Sequence, residues 1–315
     1  MRDCMNGVII IDKPPGKTSF AVVENIKKIL GAKKVGHTGT LDPLATGVLP
    51  VCVNEATKLA QFFLMDSKEY RATMLLGIET DTLDIDGKIT ARKEPQVTKS
   101  DIENALSSFV GKIEQKPPRY SAVKFKGKPL YKWARRGSAV DPLPRTIDIH
   151  QIILENVELP YVTFFVSCSK GTYIRSLCAE TGKKLGCGAC LSALRRIRSG
   201  YFIEESAISF ENINHQKTEE MLLKNLIPMV DAVSCFPTID VDQRLAGRLR
   251  NGYQPLVGDI VAENQIHTLT AGQVVKFVLS GNCLVALARM LYSFDQISSL
   301  DSKKQLVEIV RVFNY

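Results

Sequence analysis

The sequence predicts an α+β protein in which strands and flanking helices build one large domain and a small β-rich domain follows it. Three observations lead there. Strand-like apolar runs and helical-spacing runs are mixed through most of the chain. After "CFPTIDVD" the helical spacing gives way to short strands punctuated by Gly and Asn, as in "VVKFVLSGNC", "LVALARMLYS" and "QLVEIVRVF". At 315 residues the chain is long enough for two real apolar cores. The boundary is set near Pro237, giving domains 1–236 and 237–315.

In chain order, "GVIIID" reads as a buried strand and "KPPGK" as a turn. "TSFAVVENIKKILG" reads as a helix, with Val22, Ile26 and Ile29 at helical spacing and Gly31 as its stop. "VLPVCV" is a second strand, and "NEATKLAQFFL" a helix capped by Asn54. "EYRATMLLG" alternates, placing Tyr70, Ala72 and Met74 on one face. Ser100 and Glu103 have the spacing of a capping box ahead of Ile102, Ala105, Leu106 and Phe109. From Lys112 to Arg136 the chain turns basic: Lys116, Arg119, Lys124, Lys126, Lys128, Lys132, Arg135 and Arg136 are interleaved with Tyr120, Phe125, Tyr131 and Trp133. "YVTFFVSCS" is a strand, "KG" a turn and "TYIRSLCAETGKKLG" a helix with Arg175 in its first turn. "LRRIRSGYFI" is a basic hairpin candidate.

Lys plus Arg number 41 against 33 Asp plus Glu, a net charge of +8, which favours a polyanionic partner. The cysteines are scattered and lie mostly in apolar stretches, the usage of a reduced, cytoplasmic protein. Arg2 and the following apolar run imitate a signal peptide, but Asp12 and Lys13 cut the run short, and no stretch is apolar enough to span a membrane. Cys187 and Cys190 lack a second pair to complete a zinc site. "GKTS" lacks the Gly that a phosphate-binding loop needs at position 11, which is Ile11. "TDTLDIDGK" lacks the first and last carboxylates of a calcium loop and reads as a turn around Asp86-Gly87. His37, His150, His215 and His267 lie far apart. Neither a metal nor a cofactor is expected.

One stretch resists a purely structural account. In "HTGTLDPLATGVLP" a single carboxylate, Asp42, stands among small residues directly before a proline. Asp before Pro is the pattern of a helix N-cap with Pro at the first helical position. Alternatively, Gly36, Thr38, Gly39, Thr40 and Gly47 leave room beside the carboxylate for a flat ligand. In a basic protein without a metal or nucleotide motif, one nucleophilic or basic carboxylate suits chemistry on a base of RNA.

"GVIIIDKPPGKTS", "GHTGTLDPLATGVL", "YRATMLLG", "SKGTYIRSL" and "LRRIRSG" stand in the order and spacing of the bacterial TruB family of tRNA pseudouridine synthases, which the chain resembles. The resemblance implies a mixed, mainly antiparallel sheet of the pseudouridine synthase type with flanking helices, and a C-terminal domain similar to PUA-like RNA-binding modules. It implies isomerisation of uridine to pseudouridine at position 55 in the T loop of tRNA, by base flipping, with no cofactor and no metal. Asp42 matches the family's catalytic aspartate, Tyr70 a tyrosine that stacks on the flipped uracil, Arg175 the partner of the aspartate and Leu194 an apolar wall. His37 matches a histidine that fills the space the base vacates, and Lys13 and Pro14 a motif supporting the active-site loop. The stretch at about 116–146, with Lys124, Lys126, Lys128 and Lys132, resembles an inserted thumb that closes on the T stem–loop. A monomer is expected. The alternatives are a catalytically inactive tRNA-binding chaperone and a guide-RNA-dependent relative working inside an assembly.

Overall fold

The computed structural model describes residues 5–64, 67–134, 136–137, 140–210, 218–260, 269–297 and 299–314. Cys4, Arg135, His215 and His267 lie outside them. The chain opens with β1 (Gly7–Lys13) and α1 (Ser19–Leu30). Thr18 caps the helix by accepting from the Ala21 N–H, and Gly31 ends it in the left-handed region at φ 56°. β2 (Val35–His37) and β3 (Thr46–Val53) form a hairpin, and β4 (Lys68–Leu76) follows. Then come α2 (Lys99–Ser107), β5 (Gly111–Gln115), β6 (Arg145–Glu158), β7 (Tyr161–Cys168), α3 (Ile174–Lys184), β8 (Ala189–Ser199) and β9 (Ile208–Ser209).

These strands make a mixed sheet whose main path runs β9-β1-β3-β8-β4-β7-β6-β5. β9 runs parallel to β1 and β8 parallel to β3; the other neighbours on the path are antiparallel. "GVIII" is an unbroken apolar run because both faces of β1 are covered. Ile9 and Ile11 belong to the core that α1, α2 and α3 cover along one face of the sheet; Val8 and Ile10 join a separate core on the other.

A second sheet of β10 (Thr238–Val241), β11 (Val274–Leu279), β12 (Cys283–Met290) and β13 (Val307–Val312) runs in that order and carries α4 (Gln243–Arg250). Val278, Leu284, Leu287 and Phe313 from this part share one buried apolar cluster with Val8, Ile10, Val48 and Cys52 of the large sheet, joined through Met229 and Val230. Each such side chain contributes roughly 1.5–3 kcal/mol, which outweighs the polar ties across the same seam, such as Lys58 to the Val312 carbonyl at 2.9 Å.

Two helix starts differ from expectation. Residues Asn54–Leu59 form a 3₁₀ helix, and Asn54 does not cap it. Its side-chain oxygen accepts from the Lys33 and Lys34 N–H groups and its amide donates to the Met5 carbonyl, at φ 51°. Asn54 therefore ties distant segments together. α2 starts two residues before the Ser100–Glu103 box: Thr98 is the cap and Asp101 its reciprocal partner. Both registers satisfy the spacing, but only this one puts Val97 before the cap and Ile102 at the fourth helical position, where both join the core.

Candidate active site

Asp42 lies on the connection between β2 and β3, held from both sides. The Ser19 hydroxyl, at the start of α1, accepts from the Leu41 N–H at 2.8 Å and donates to the Leu41 carbonyl at 3.1 Å. Lys13, fully buried at the end of β1, donates to the carbonyls of Pro14, Pro43 and Ala45 at 2.8, 3.1 and 2.6 Å. The Gly16 N–H donates to the Pro43 carbonyl at 2.9 Å. After Asp42 the chain makes one turn, closed by Ala45 N–H to the Asp42 carbonyl, and enters β3 at Thr46. There is no helix for Asp42 to cap, which removes the structural explanation of the Asp-Pro pair.

The carboxylate meets Arg175 from the first turn of α3. Arg175 Nη2 donates to Asp42 Oδ1 at 3.0 Å, and its Nε stands 2.8 Å from Asp42 Oδ2, close enough for an ion pair but out of line for a second hydrogen bond. The guanidinium is itself buried, at 4% exposure, while Asp42 keeps 30%. Arg175 also donates to the Thr82 and Tyr120 carbonyls and lies 3.5 Å from Asp84.

Asp42 opens onto a cavity of about 240 Å³, enough for a single nucleobase, lined also by Gly39, Thr40, Tyr70, Ile174 and Leu194. Leu194 of β8 is buried and gives an apolar wall. Burial pushes the Tyr70 phenol up to about 12, only partly opposed by its hydrogen bond with Arg196, so at neutral pH it is a protonated donor. Arg196 is among the largest fully buried side chains of the described residues; it donates to the Val48 and Gly39 carbonyls at 2.7 and 3.2 Å. Burial lowers its pKa, yet an arginine remains charged.

The small residues divide. Gly39 and Thr40 line the cavity, whereas Gly36, Thr38 and Gly47 do not. Gly47 is required by packing: at φ 96°, a Cβ there would stand 2.2 Å from the Arg196 carbonyl of β8. His37, half-buried on β2, also lies off the cavity lining; its Nδ1 accepts from the Gly39 N–H at 3.3 Å, and burial, then Arg196, lowers its pKa. Pro14 belongs to the turn held by Lys13.

Lys124, Lys126, Lys128 and Lys132 are exposed on a hairpin (Lys124–Phe125 with Lys128–Pro129) and the short helix Leu130–Ala134. Ser121 and Ala122 at its foot line the cavity, so this basic surface adjoins Asp42. Phe125 and Trp133 pack edge to face at 6.1 Å and Trp133 Nε1 donates to the Phe125 carbonyl, which makes them the hairpin's internal packing. Among the described residues no group of His, Cys, Asp and Glu could hold a metal ion, and no helix is long and apolar enough to cross a membrane.

Two residues escaped the sequence reading. Asp84 sits in the turn taken for a failed calcium loop, but its side chain points inward, accepts from the Thr82 hydroxyl at 2.6 Å and approaches Arg175. Burial raises its pKa, with Thr82 and Arg175 acting the other way. Its apolar neighbours in "LDI" were the available signal. Arg196 shares the strand face of Leu194, a relation that period-two alternation contains.

The fold and the aspartate-bearing pocket define a class, the RNA pseudouridine synthases. Residues 27–174 match the model of the TruB family pseudouridylate synthase N-terminal domain, and residues 175–234 that of the tRNA pseudouridylate synthase B C-terminal domain. The chain is 54% identical over 310 residues to the tRNA pseudouridine synthase B of Syntrophus aciditrophicus, covering 98% of this chain and 99% of that one. It is 47% identical to the Clostridium tetani enzyme of the same name, over 79% of this chain and 85% of that one. A solved Cbf5-Nop10-Gar1 complex aligns over 98% of this chain and 85% of its own at 33% identity and TM-score 0.74, and an H/ACA RNP bound to a substrate RNA aligns equally well at 31%. The chain belongs to the TruB family of pseudouridine synthases.

Proposed function

We propose that the chain isomerises uridine 55 in the T stem–loop of tRNA, with Asp42 as the reacting carboxylate, Arg175 as the group that aims it, and Tyr70 and Leu194 as the walls that receive the flipped base. The reaction breaks the C1′–N1 bond, joins C1′ to C5 and moves the C5 proton away; N1 ends protonated. No atom is gained or lost and no oxidant or reductant is consumed, and the proposal invokes neither cofactor nor metal. A carboxylate serves each available route: addition to C6 of the ring, addition to C1′, or removal of a ribose proton. The observation that carries the reading is the hydrogen-bonded Asp42–Arg175 ion pair at the mouth of a base-sized cavity.

Tyr70 presents an aromatic face suited to stacking on the base; its hydroxyl, held protonated, can pass on the C5 proton only as a relay that releases its own proton to a second acceptor as it takes that one. His37 fills the space that the base leaves in the RNA, and Lys13 with Pro14 holds the Asp42 turn. Residues 1–236 form the catalytic domain, with a thumb at about 116–146 whose Lys124, Lys126, Lys128 and Lys132 meet phosphates. Residues 237–315 form a PUA-like RNA-binding domain. The proposed state is a cytoplasmic monomer.

Incubating unmodified tRNA with the purified chain alone and mapping pseudouridine tests the whole reading. Product at position 55 supports it. Binding without product would indicate the inactive chaperone, and product only with an added guide RNA or partner proteins would indicate the assembly-dependent relative.

A further inference from the structure

The foot of the basic insertion is fastened to the helix that carries Arg175. Gln115 is the last residue of β5, immediately before the insertion, and is 6% exposed. Its amide meets the Tyr173 backbone twice: Nε2 donates to the Tyr173 carbonyl at 3.1 Å and Oε1 accepts from the Tyr173 N–H at 2.8 Å. Tyr173 is the N-cap residue of α3 and gives it no side-chain cap. Alongside, the Ser176 hydroxyl donates to the Lys116 carbonyl at 2.9 Å and Arg175 Nη2 to the Tyr120 carbonyl at 3.0 Å. Three positions at the insertion's foot are thus matched to three at the start of α3.

Other contacts at this joint do less to fix it. The Lys116–Asp141 pair at 3.1 Å joins two exposed side chains and is screened by solvent. A cavity of about 560 Å³ lies behind the joint, lined by Gln115, Lys116, Pro118, Ser176, Leu177 and Glu180, so close packing does not set the geometry on that side. The hydrogen bonds set it. Arg175 Nη2 is shared, 3.0 Å from both Asp42 Oδ1 and the Tyr120 carbonyl, so a displaced foot re-aims the group that holds the carboxylate.

We propose that Gln115 is a positioning residue for pseudouridine formation: its amide ties the root of the RNA-gripping insertion to the start of α3 and thereby sets the aim of Arg175 on Asp42. This deepens the function proposed above and rests on it. The requirement is specific, because a primary amide offers both the donor for the Tyr173 carbonyl and the acceptor for the Tyr173 N–H, whereas a carboxylate only accepts.

The test compares the full-length wild type with Gln115→Met, Gln115→Glu, Arg175→Lys and the double variant Gln115→Met/Arg175→Lys, reading single-turnover pseudouridine formation at saturating enzyme and, separately, tRNA affinity. Gln115→Met is expected to slow the bound-state rate roughly 10- to 100-fold through misplacement of the reacting group, with affinity unchanged. Gln115→Glu should fall between, and it carries the same comparison if the Met variant folds poorly. In the Arg175→Lys background the Gln115 change should cost little more, since both act through one contact. Wild-type rates in the Gln115 variants, a loss confined to affinity, or losses that multiply with Arg175→Lys would each overturn the proposal. A wild-type chain that makes no pseudouridine would instead sink the functional reading, and the inference with it.

Discussion

Asp42→Asn separates chemistry from architecture because the site's charge arithmetic protects the fold. Arg175 lies between two carboxylates, Asp42 at 2.8 Å and Asp84 at 3.5 Å. Neutralising Asp42 leaves the guanidinium with Asp84 and two backbone carbonyls, so the ~3–5 kcal/mol cost of orphaning a buried charge does not arise. What changes is an ion pair becoming a hydrogen bond from a charged donor to a neutral acceptor, worth about 1 kcal/mol, or roughly 1–2 °C in Tm for a protein of this size. The chemical loss is far larger: deleting the group that attacks or moves a proton costs at least about 10²–10⁴ in rate. The assay is single-turnover conversion of unmodified tRNA, scored by nucleoside analysis, with tRNA affinity and thermal melting measured on the same preparation. Turnover within tenfold of wild type would show that Asp42 is not the reacting carboxylate. A collapse of the fold would show that the Asp42–Arg175 pair is mainly structural.

Tyr70→Phe keeps the aromatic face and loses the protonated hydroxyl; normal tRNA binding with a slower chemical step is expected, and equal rates would confine Tyr70 to stacking. Changing Lys124, Lys126 and Lys128 together to Gln should lower the slope of log affinity against log salt by about 2–3 if all three meet phosphates, while conversion of bound tRNA changes little; an unaltered slope would make the hairpin a solvated face. Burial lowers Lys13 from 10.5 to about 8, so between those values the unfolded chain keeps a proton that the folded chain has released. Unfolding free energy should therefore rise with pH across that window relative to Lys13→Met, measured by urea titration near about pH 7.5 and about pH 10, and a flat difference would contradict the assignment.

What could be read from the sequence were features whose partners lie nearby in the chain. The α1 stop at Gly31, the alternation of β4 and the hairpin after Arg195 depend on neighbours a few residues away. The approach of Arg175 to Asp42 came from motif resemblance, since 133 positions separate the pair. Asp84 and Arg196 were missed because their meaning is set by burial and by carbonyls from other strands. By identity alone Arg196 groups with Arg195 and Arg198 in a basic hairpin. Strand geometry separates them: Arg195 pairs with Asp12 and Glu204, Arg198 with Glu69, and Arg196 turns into the protein beneath Tyr70. The same effect defeated the helix starts. Asn54 has a capping residue's identity, but its hydrogen bonds reach segments that no local window contains.

The seam between the two sheets sets how the C-terminal part can work. Val278, Leu284, Leu287 and Phe313 are as deeply buried as the interior of the large sheet, and Lys276, itself nearly enclosed, donates to the Val230 carbonyl across the join. A module on a loose tether searches space and adds affinity through local concentration. One welded by a continuous apolar interior cannot swing; it acts as a caliper. On the proposed RNA-binding role of residues 237–315, a feature gripped there would be held at a fixed span from Asp42, and an RNA lengthened between the two contacts should be disfavoured for its size, whatever its sequence.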